Sequence, residues 1–245
     1  MYQHALIIHS DYSIGRRIAL HRICESLADF KELRQLFAKL KSQFDHLTFS
    51  FHCIQTESSS IDSIPEYDSF FDGIQFYSDI DQFIELIKED IKIKPIDVAK
   101  LILLKGEYSH LELQKLIYLA YCEYFRLYGE DLFSDDFQAW DLGPVIPDIY
   151  HSLKIYRDKK ITKYRDSNVF PEIYSRLVKI PKYDKLINAI DLTLKKYSNS
   201  TAWELVNTTH VTDGPWDMVY NKGEGKNEII PKELIKEYVL EHCKR

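Results

Sequence analysis

Hydrophobic and polar positions change period several times along residues 1–91. Ala5 to Ile8 form a short apolar run, read as a strand. Asp11 or Ser13 is expected to cap a following helix, because Ile18, Leu20, Ile23 and Leu27 lie near helical spacing. Leu33, Leu36, Phe37 and Leu40 repeat that spacing. Leu47 to Ile54 then alternates apolar with polar, the mark of a half-buried strand. Ser58 to Asp72 is polar, contains Pro65 and reads as a loop. Ile74 to Tyr77 reads as another strand, and Ser78 opens a Ser-x-x-Asp helix start before Phe83, Ile84 and Ile87.

From Pro95 onward the pattern becomes almost purely helical. A helix from Ile96 to Leu104 should stop near Gly106. Ser109 and Glu112 form a capping box for the next helix. Leu113, Leu116, Ile117, Ala120 and Tyr124 share one of its faces, and Gly129 suits its C-terminal end. Pro147 fits the first turn of a helix through Ile149, Tyr150 and Leu153. Leu186, Ala189, Ile190 and Leu194 mark a further helix, Thr201 and Glu204 give a second capping box, and Pro231 begins the last helix. The expected fold class is α+β: a small mixed α/β domain over 1–91 and a mainly α-helical domain over 92–245.

Charge sharpens that division. Residues 1–91 carry eight Lys/Arg against fifteen Asp/Glu, a net of −7, and the remainder carries twenty-four against twenty-three. The sequence Lys92-Ile93-Lys94-Pro95 breaks the preceding helix, since the residue before a proline is pushed out of helical geometry. Seventeen tyrosines and thirteen phenylalanines against eight glycines and eight prolines suit a compact chain with short connections. No apolar run approaches the ~20 residues of a membrane span, and the start lacks a secretory pattern. A cytoplasmic protein with no membrane contact is expected.

Catalytic and metal chemistry find little support. Cys24, Cys53, Cys122 and Cys243 are scattered, and no pair has metal-ligand or redox spacing. No Gly-rich phosphate loop, nucleophile elbow or His-Glu-x-x-His helix occurs. His9-Ser10-Asp11 are neighbours in sequence, but triads are assembled in space. No enzyme activity, cofactor or metal is expected.

Residues 113–150 carry the recognisable pattern. Leu113-Gln114-Lys115-Leu116-Ile117-Tyr118 is followed by Tyr128-Gly129. Then Ala139-Trp140-Asp141-Leu142-Gly143-Pro144-Val145-Ile146-Pro147-Asp148-Ile149-Tyr150 runs without a gap. His210 precedes Pro215-Trp216. These motifs resemble the Panacea (SocA-like antitoxin) domain over about 95–245. That resemblance implies a bacterial or prophage antitoxin that neutralises a cognate protein toxin by direct binding. Toxins paired with the family include translation-blocking nucleotide-modifying enzymes, and some members are described as protease adaptors, so a protease complex is a further possible partner.

The residues themselves leave their roles open. Pro144 and Pro147 have fixed φ and no N–H, so the turn at Gly143-Pro144 is stiff and holds Val145 in a narrow range. Trp140, Val145, Tyr150 and Trp216 either pack the core or present an interface, for which tryptophan and tyrosine are favoured types. Lys115 either keeps its head in water or pairs with Asp141 or with a carbonyl near the Gly-Pro turn. His210 and Asp213 near Trp216 read as a polar cluster tying down a loop. Between His151 and Lys196 there are twelve Lys/Arg and five Asp/Glu, densest at Lys154, Arg157, Lys159, Lys160, Lys163 and Arg165. That stretch is a solvated surface, a patch for an acidic partner, or a nucleic-acid contact of a transcriptional regulator. The candidate binding residues are Lys115, Trp140, Gly143, Pro144, Val145, Tyr150, Lys154, Lys160, His210 and Trp216.

Overall fold

A computed structural model describes residues 1–11, 15–165 and 170–242. The chain divides into two compact units, Met1–Lys92 and Ile93–Arg245. The fold is α+β: a mixed sheet with helices in the first unit, and a largely helical second unit.

The first unit runs β1 (Tyr2–Asp11), β2 (Arg16–Ile23), α1 (Leu27–Gln43), β3 (Phe49–Thr56), α2 (Ser63–Tyr67), β4 (Ile74–Tyr77) and α3 (Ile80–Asp90). The sheet order is β3-β1-β2-β4, with β1 antiparallel to β2 and β3, and β2 parallel to β4. Ala5, Ile7, Ile18 and Leu20 pack with Leu33, Leu40, Phe83 and Ile87 from α1 and α3. Leu6, Ile8 and Ala19 face the other way, onto Ile54, Ile64, Phe71 and Ile74. Both central strands are therefore covered on both faces, which explains their unbroken apolar runs.

That burial corrects the expected helix after β1. Ile18, Ala19 and Leu20 are consecutive sealed residues of β2, and Asp11 ends β1 opposite Arg16, with an ion pair at 3.2 Å. Ser13, the other expected cap, lies outside the described residues. Helix α1 starts only at Leu27, capped by Ser26 in a box with Asp29. The expected loop at 58–72 holds α2 and a 3-10 turn, Ser69–Phe71. Pro65 is tolerated there because it falls in the first turn, where its missing N–H is not needed. Asp79 rather than Ser78 caps α3, accepting from Asp81 and Gln82.

Polar groups are also sealed in this unit. His4 Nδ1 lies 2.9 Å from His21 Nε2, and His4 Nε2 lies 2.9 Å from both Thr56 Oγ1 and the Ser58 carbonyl. Burial, reinforced by His4 and Arg22, pulls His21 down to about 4.

The second unit runs α4 (Pro95–Lys105), α5 (His110–Tyr128), β5 (Phe137–Trp140), β6 (Gly143–Val145), α6 (Pro147–Leu153), α7 (Phe170–Leu177), α8 (Tyr183–Tyr197), α9 (Ala202–Thr209), α10 (Pro215–Tyr220), β7 (Ile229–Ile230) and α11 (Lys232–His242). In α5, Leu113 through Tyr118 are all buried, as are Ala120, Tyr121 and Tyr124. A helix sealed on all sides is a central one, and α4, α6, α8, α9, α11 and β6 pack around it. Ser109 and Glu112 close the capping box, and Gly129 ends the helix at φ +68°, the left-handed geometry that favours glycine.

Two buried carboxylates tie the outer helices to this frame. Asp97 takes the Lys94 N–H at the start of α4 and pairs with Arg176 of α7 at 3.2 Å, both nearly sealed. Burial raises the Asp97 carboxyl, and Arg176 opposes that shift. Glu112 accepts from Ser109 and from Lys160.

The almost purely helical expectation for this part misses a small sheet of order β6-β5-β7. Its strands are two to four residues long, too short for a period of two to emerge. Pro144 fits because β6 is an edge strand.

Candidate functional site

The hairpin β5–β6 turns in two residues, Asp141 and Leu142, since Trp140 pairs with Gly143. Neighbouring side chains on α5 grip its second strand. The Lys115 ammonium donates to the Pro144 carbonyl at 2.9 Å. Gln114 brackets Ile146, accepting its N–H at 2.9 Å and donating to its carbonyl at 3.3 Å. Two successive residues of the central helix thereby take up the Pro144 carbonyl on the open edge of β6 and the backbone of Ile146 just past it. Of the partners weighed for Lys115, the Gly-Pro carbonyl is the one realised. Its head does not reach water, and burial pulls it down to about 7.

Gly143 is where the strand comes closest to this machinery. Its φ is +102°, and an added Cβ would sit 2.8 Å from Lys115 Nζ, 2.9 Å from Thr209 Oγ1 and 3.1 Å from His210 Nε2. Both geometry and space therefore demand glycine. His210 is buried enough that its pKa is lowered, with Lys115 adding to the effect, and its Nε2 has no hydrogen-bond partner.

Aromatic stacking adds to this hold on the hairpin. Trp216 lies flat on His210, centroids 3.6 Å apart at 7°, and Tyr220 stacks on Trp216 at 4.6 Å. The Trp216 indole N–H donates to the Trp140 carbonyl at 2.9 Å. At the turn, Asp141 accepts from Tyr220 at 2.9 Å and from Lys226 at 2.6 Å, so it is not the partner of Lys115. Those contacts hold the Asp141 carboxyl below its usual value.

Trp140 and Tyr150 stand on the outward side of this frame, both half-buried. Their rings meet edge to face at 4.8 Å, and His110 and His151 abut Tyr150 at 5.5 Å. They line an open cleft of about 800 Å³ whose walls include Leu111, Leu142, Val145 and Pro147. The Trp140 indole N–H is taken by Gln138 at 3.0 Å. The site can seat apolar or aromatic groups against a wall that does not give way. Among the described residues no group of three or more His, Cys, Asp or Glu is placed to hold a metal, and no helix is long and apolar enough to cross a membrane.

The candidate residues thus separate by position. Lys115, His210 and Trp216 pack on the hairpin from behind, and Gly143 and Pro144 are the residues of its second strand that they meet. Trp140, Val145 and Tyr150 line the cleft. Lys154 is exposed, four residues beyond Tyr150. Lys160 is drawn away to Glu112 at 2.6 Å. The Arg165 side chain and Cys243 lie outside the described residues. Sequence reasoning missed His110, Leu111, Gln138, His151, Lys226 and Asn227 as cleft residues. They come from four separate segments, and only the hairpin assembles them.

Residues 113–217 match the family model described as Antitoxin SocA-like, Panacea domain. A curated relative, Antitoxin SocA from Caulobacter vibrioides (strain NA1000 / CB15N), is 30% identical over 119 residues, which is 49% of this chain and 63% of the relative. The chain therefore spans under two thirds of that relative's length. No solved structure gives a significant match. The family model begins at Leu113 and ends at Asp217, so it includes both Gln114 and Lys115, the hairpin, α6, His210 and Trp216, and it excludes the first unit. Residues 113–217 thus resemble the Panacea domain of the antitoxin SocA-like family.

Proposed function

We propose that this chain is an antitoxin that neutralises a cognate protein toxin by direct binding, and that the toxin docks on the Trp140–Tyr150 cleft. The observation that carries the reading is the pairing of half-buried aromatics with a rigid backing inside the family-matched segment. Interfaces concentrate their binding energy in tryptophan and tyrosine anchors, and a preorganised surface loses little entropy on association. Blockade by contact needs no catalytic group on this chain. The acidic first unit, outside the family model, supplies partner specificity.

The test is growth. The open reading frame beside this gene is induced alone and together with the chain. Arrest by the neighbour and relief by co-expression, with a complex isolated by gel filtration, support the reading. A neighbour that arrests growth without being relieved contradicts it. Residues 93–245 tested alone should protect less well than the full chain; equal protection would remove the specificity role of the first unit.

A further inference from the structure

We infer that the cleft receives an acidic segment of the partner protein, a large apolar side chain seated beside Trp140 and Tyr150 and neighbouring carboxylates on Lys154, Arg157 and Lys159. This rests on the reading of the cleft as a protein-docking site and names the chemistry of what docks there.

The polar groups that line the cleft are mostly spent within the protein. Gln114 is committed to Ile146, Gln138 to the Trp140 indole, and the Asp141 carboxylate to Tyr220 and Lys226. The remaining wall is apolar or aromatic apart from His110, His151 and Asn227. An apolar anchor is therefore what fits the interior, since a charged side chain would meet no counter-charge there.

Charge waits at the rim. Tyr150 and Lys154 are four residues apart where α6 passes into the 3-10 turn Lys154–Tyr156, so Lys154 lies about one turn beyond Tyr150 on the same side. Lys154, Arg157 and Lys159 are exposed and have no carboxylate partner among the described residues, whereas Lys160 and Lys226 are held by Glu112 and Asp141. Between those cations Ile155 is 81% exposed. Arg157 adopts φ +51° and ψ −124°, a conformation costly for any residue but glycine. Three open cations against one exposed carboxylate, Asp158, surround an exposed isoleucine about one turn beyond Tyr150 of the aromatic cleft, and they complement a segment that mixes carboxylates with large apolar side chains. A phosphate backbone would use the cations and leave Ile155 and the cleft wall unmatched.

The full chain is titrated with short synthetic peptides carrying one leucine or tryptophan anchor flanked by glutamates, glutamines or lysines. Binding is followed by anisotropy of a peptide label and by the Trp140 indole N–H resonance. The glutamate peptide should bind about tenfold tighter than the lysine peptide at low salt, lose that advantage as salt rises, and move the Trp140 resonance. The double variant Lys154→Glu/Arg157→Glu, its fold checked by circular dichroism, should abolish or reverse the preference. Equal binding of the two peptides, tighter binding of the lysine peptide, or no binding by any of them would overturn the inference. So would a labelled DNA duplex that binds the same edge more tightly than the glutamate peptide. Growth relief by the full chain is a separate measurement, so the docking reading stands or falls independently of these results.

Discussion

The Lys115 side chain, sealed on the central helix, donates from Nζ to the carbonyl of Pro144 at 2.9 Å, so an ionisable group buttresses the hairpin from behind. Burial lowers its pKa to about 7, against 10.5 for a free lysine. Between those values the unfolded chain holds a proton that the folded chain has released. Stability must therefore rise with pH from about 7 toward 10, by up to about 1.4 kcal/mol per pH unit. Above about 10 the tyrosines oppose this, because Tyr121 and Tyr124 have raised values and folding then withholds ionisation. Urea melts between pH 7 and 9.5 should show the upward slope in the wild type and a flatter one in Lys115→Met. Parallel slopes would mean that Lys115 is charged in the fold.

Gly143→Ala should destabilise the chain by roughly 2–4 kcal/mol, combining left-handed strain with a Cβ placed against Lys115, Thr209 and His210. Thermal unfolding measures it. A loss below about 0.5 kcal/mol would show that the hairpin can move off α5 at little cost.

The Arg176–Asp97 pair predicts an asymmetric pair of variants. Removing Arg176 alone strands a buried carboxylate and should cost about 3 kcal/mol or more. Adding Asp97→Ala to Arg176→Met should recover part of that loss, because the stranded charge is gone. Denaturant melts of the single and double variants make the comparison, and additive losses would argue that the two side chains act separately.

Lys160→Glu and Lys154→Glu remove neighbouring cations from the same basic stretch with different consequences. The first sets two carboxylates together at the start of α5, since Lys160 binds Glu112, and should cost on the order of 1–2 kcal/mol. The second alters an exposed side chain and should stay within about 0.5 kcal/mol. Equal melting temperatures would mean that the Glu112 contact contributes nothing.

In the first unit, His21 should remain neutral down to about pH 4. The unfolded chain takes up its proton near 6.5, so this histidine's contribution to stability is full above that value and falls away as the pH drops toward 4. The imidazole resonances of His21 report it directly; titration at the ordinary value would imply that the His4–His21 contact opens.

Local chemistry was readable where one segment decides its own structure. The capping boxes at Ser109 and Thr201, the glycine end at Gly129 and the proline start at Pro147 all occur as their residues imply. What escaped was decided by contact at a distance. Ile18 and Leu20 pack on one face of β2 and Ala19 on the other, and a short apolar run buried on both faces does not by itself separate a strand from a helix. The strands at Phe137 and Gly143 exist because Gln114, Lys115 and Trp216 take up the polar groups along them. The same lock decides which motif residues face solvent. Trp140 and Tyr150 line the cleft, whereas Lys115 and Trp216 lie beneath it, and nothing in the spacing distinguishes them.

The proposed docking on the Trp140–Tyr150 cleft is open to one direct measurement. Leu142 tests it best, because it lines that cleft at the hairpin turn while 41% exposed, so a change there spares the core. The measurement is the affinity of Leu142→Asp for the product of the adjacent gene, with melting temperature as the control. A carboxylate in the apolar wall should weaken the complex by about a hundredfold with little change in melting. Wild-type affinity from a folded Leu142→Asp chain would contradict it.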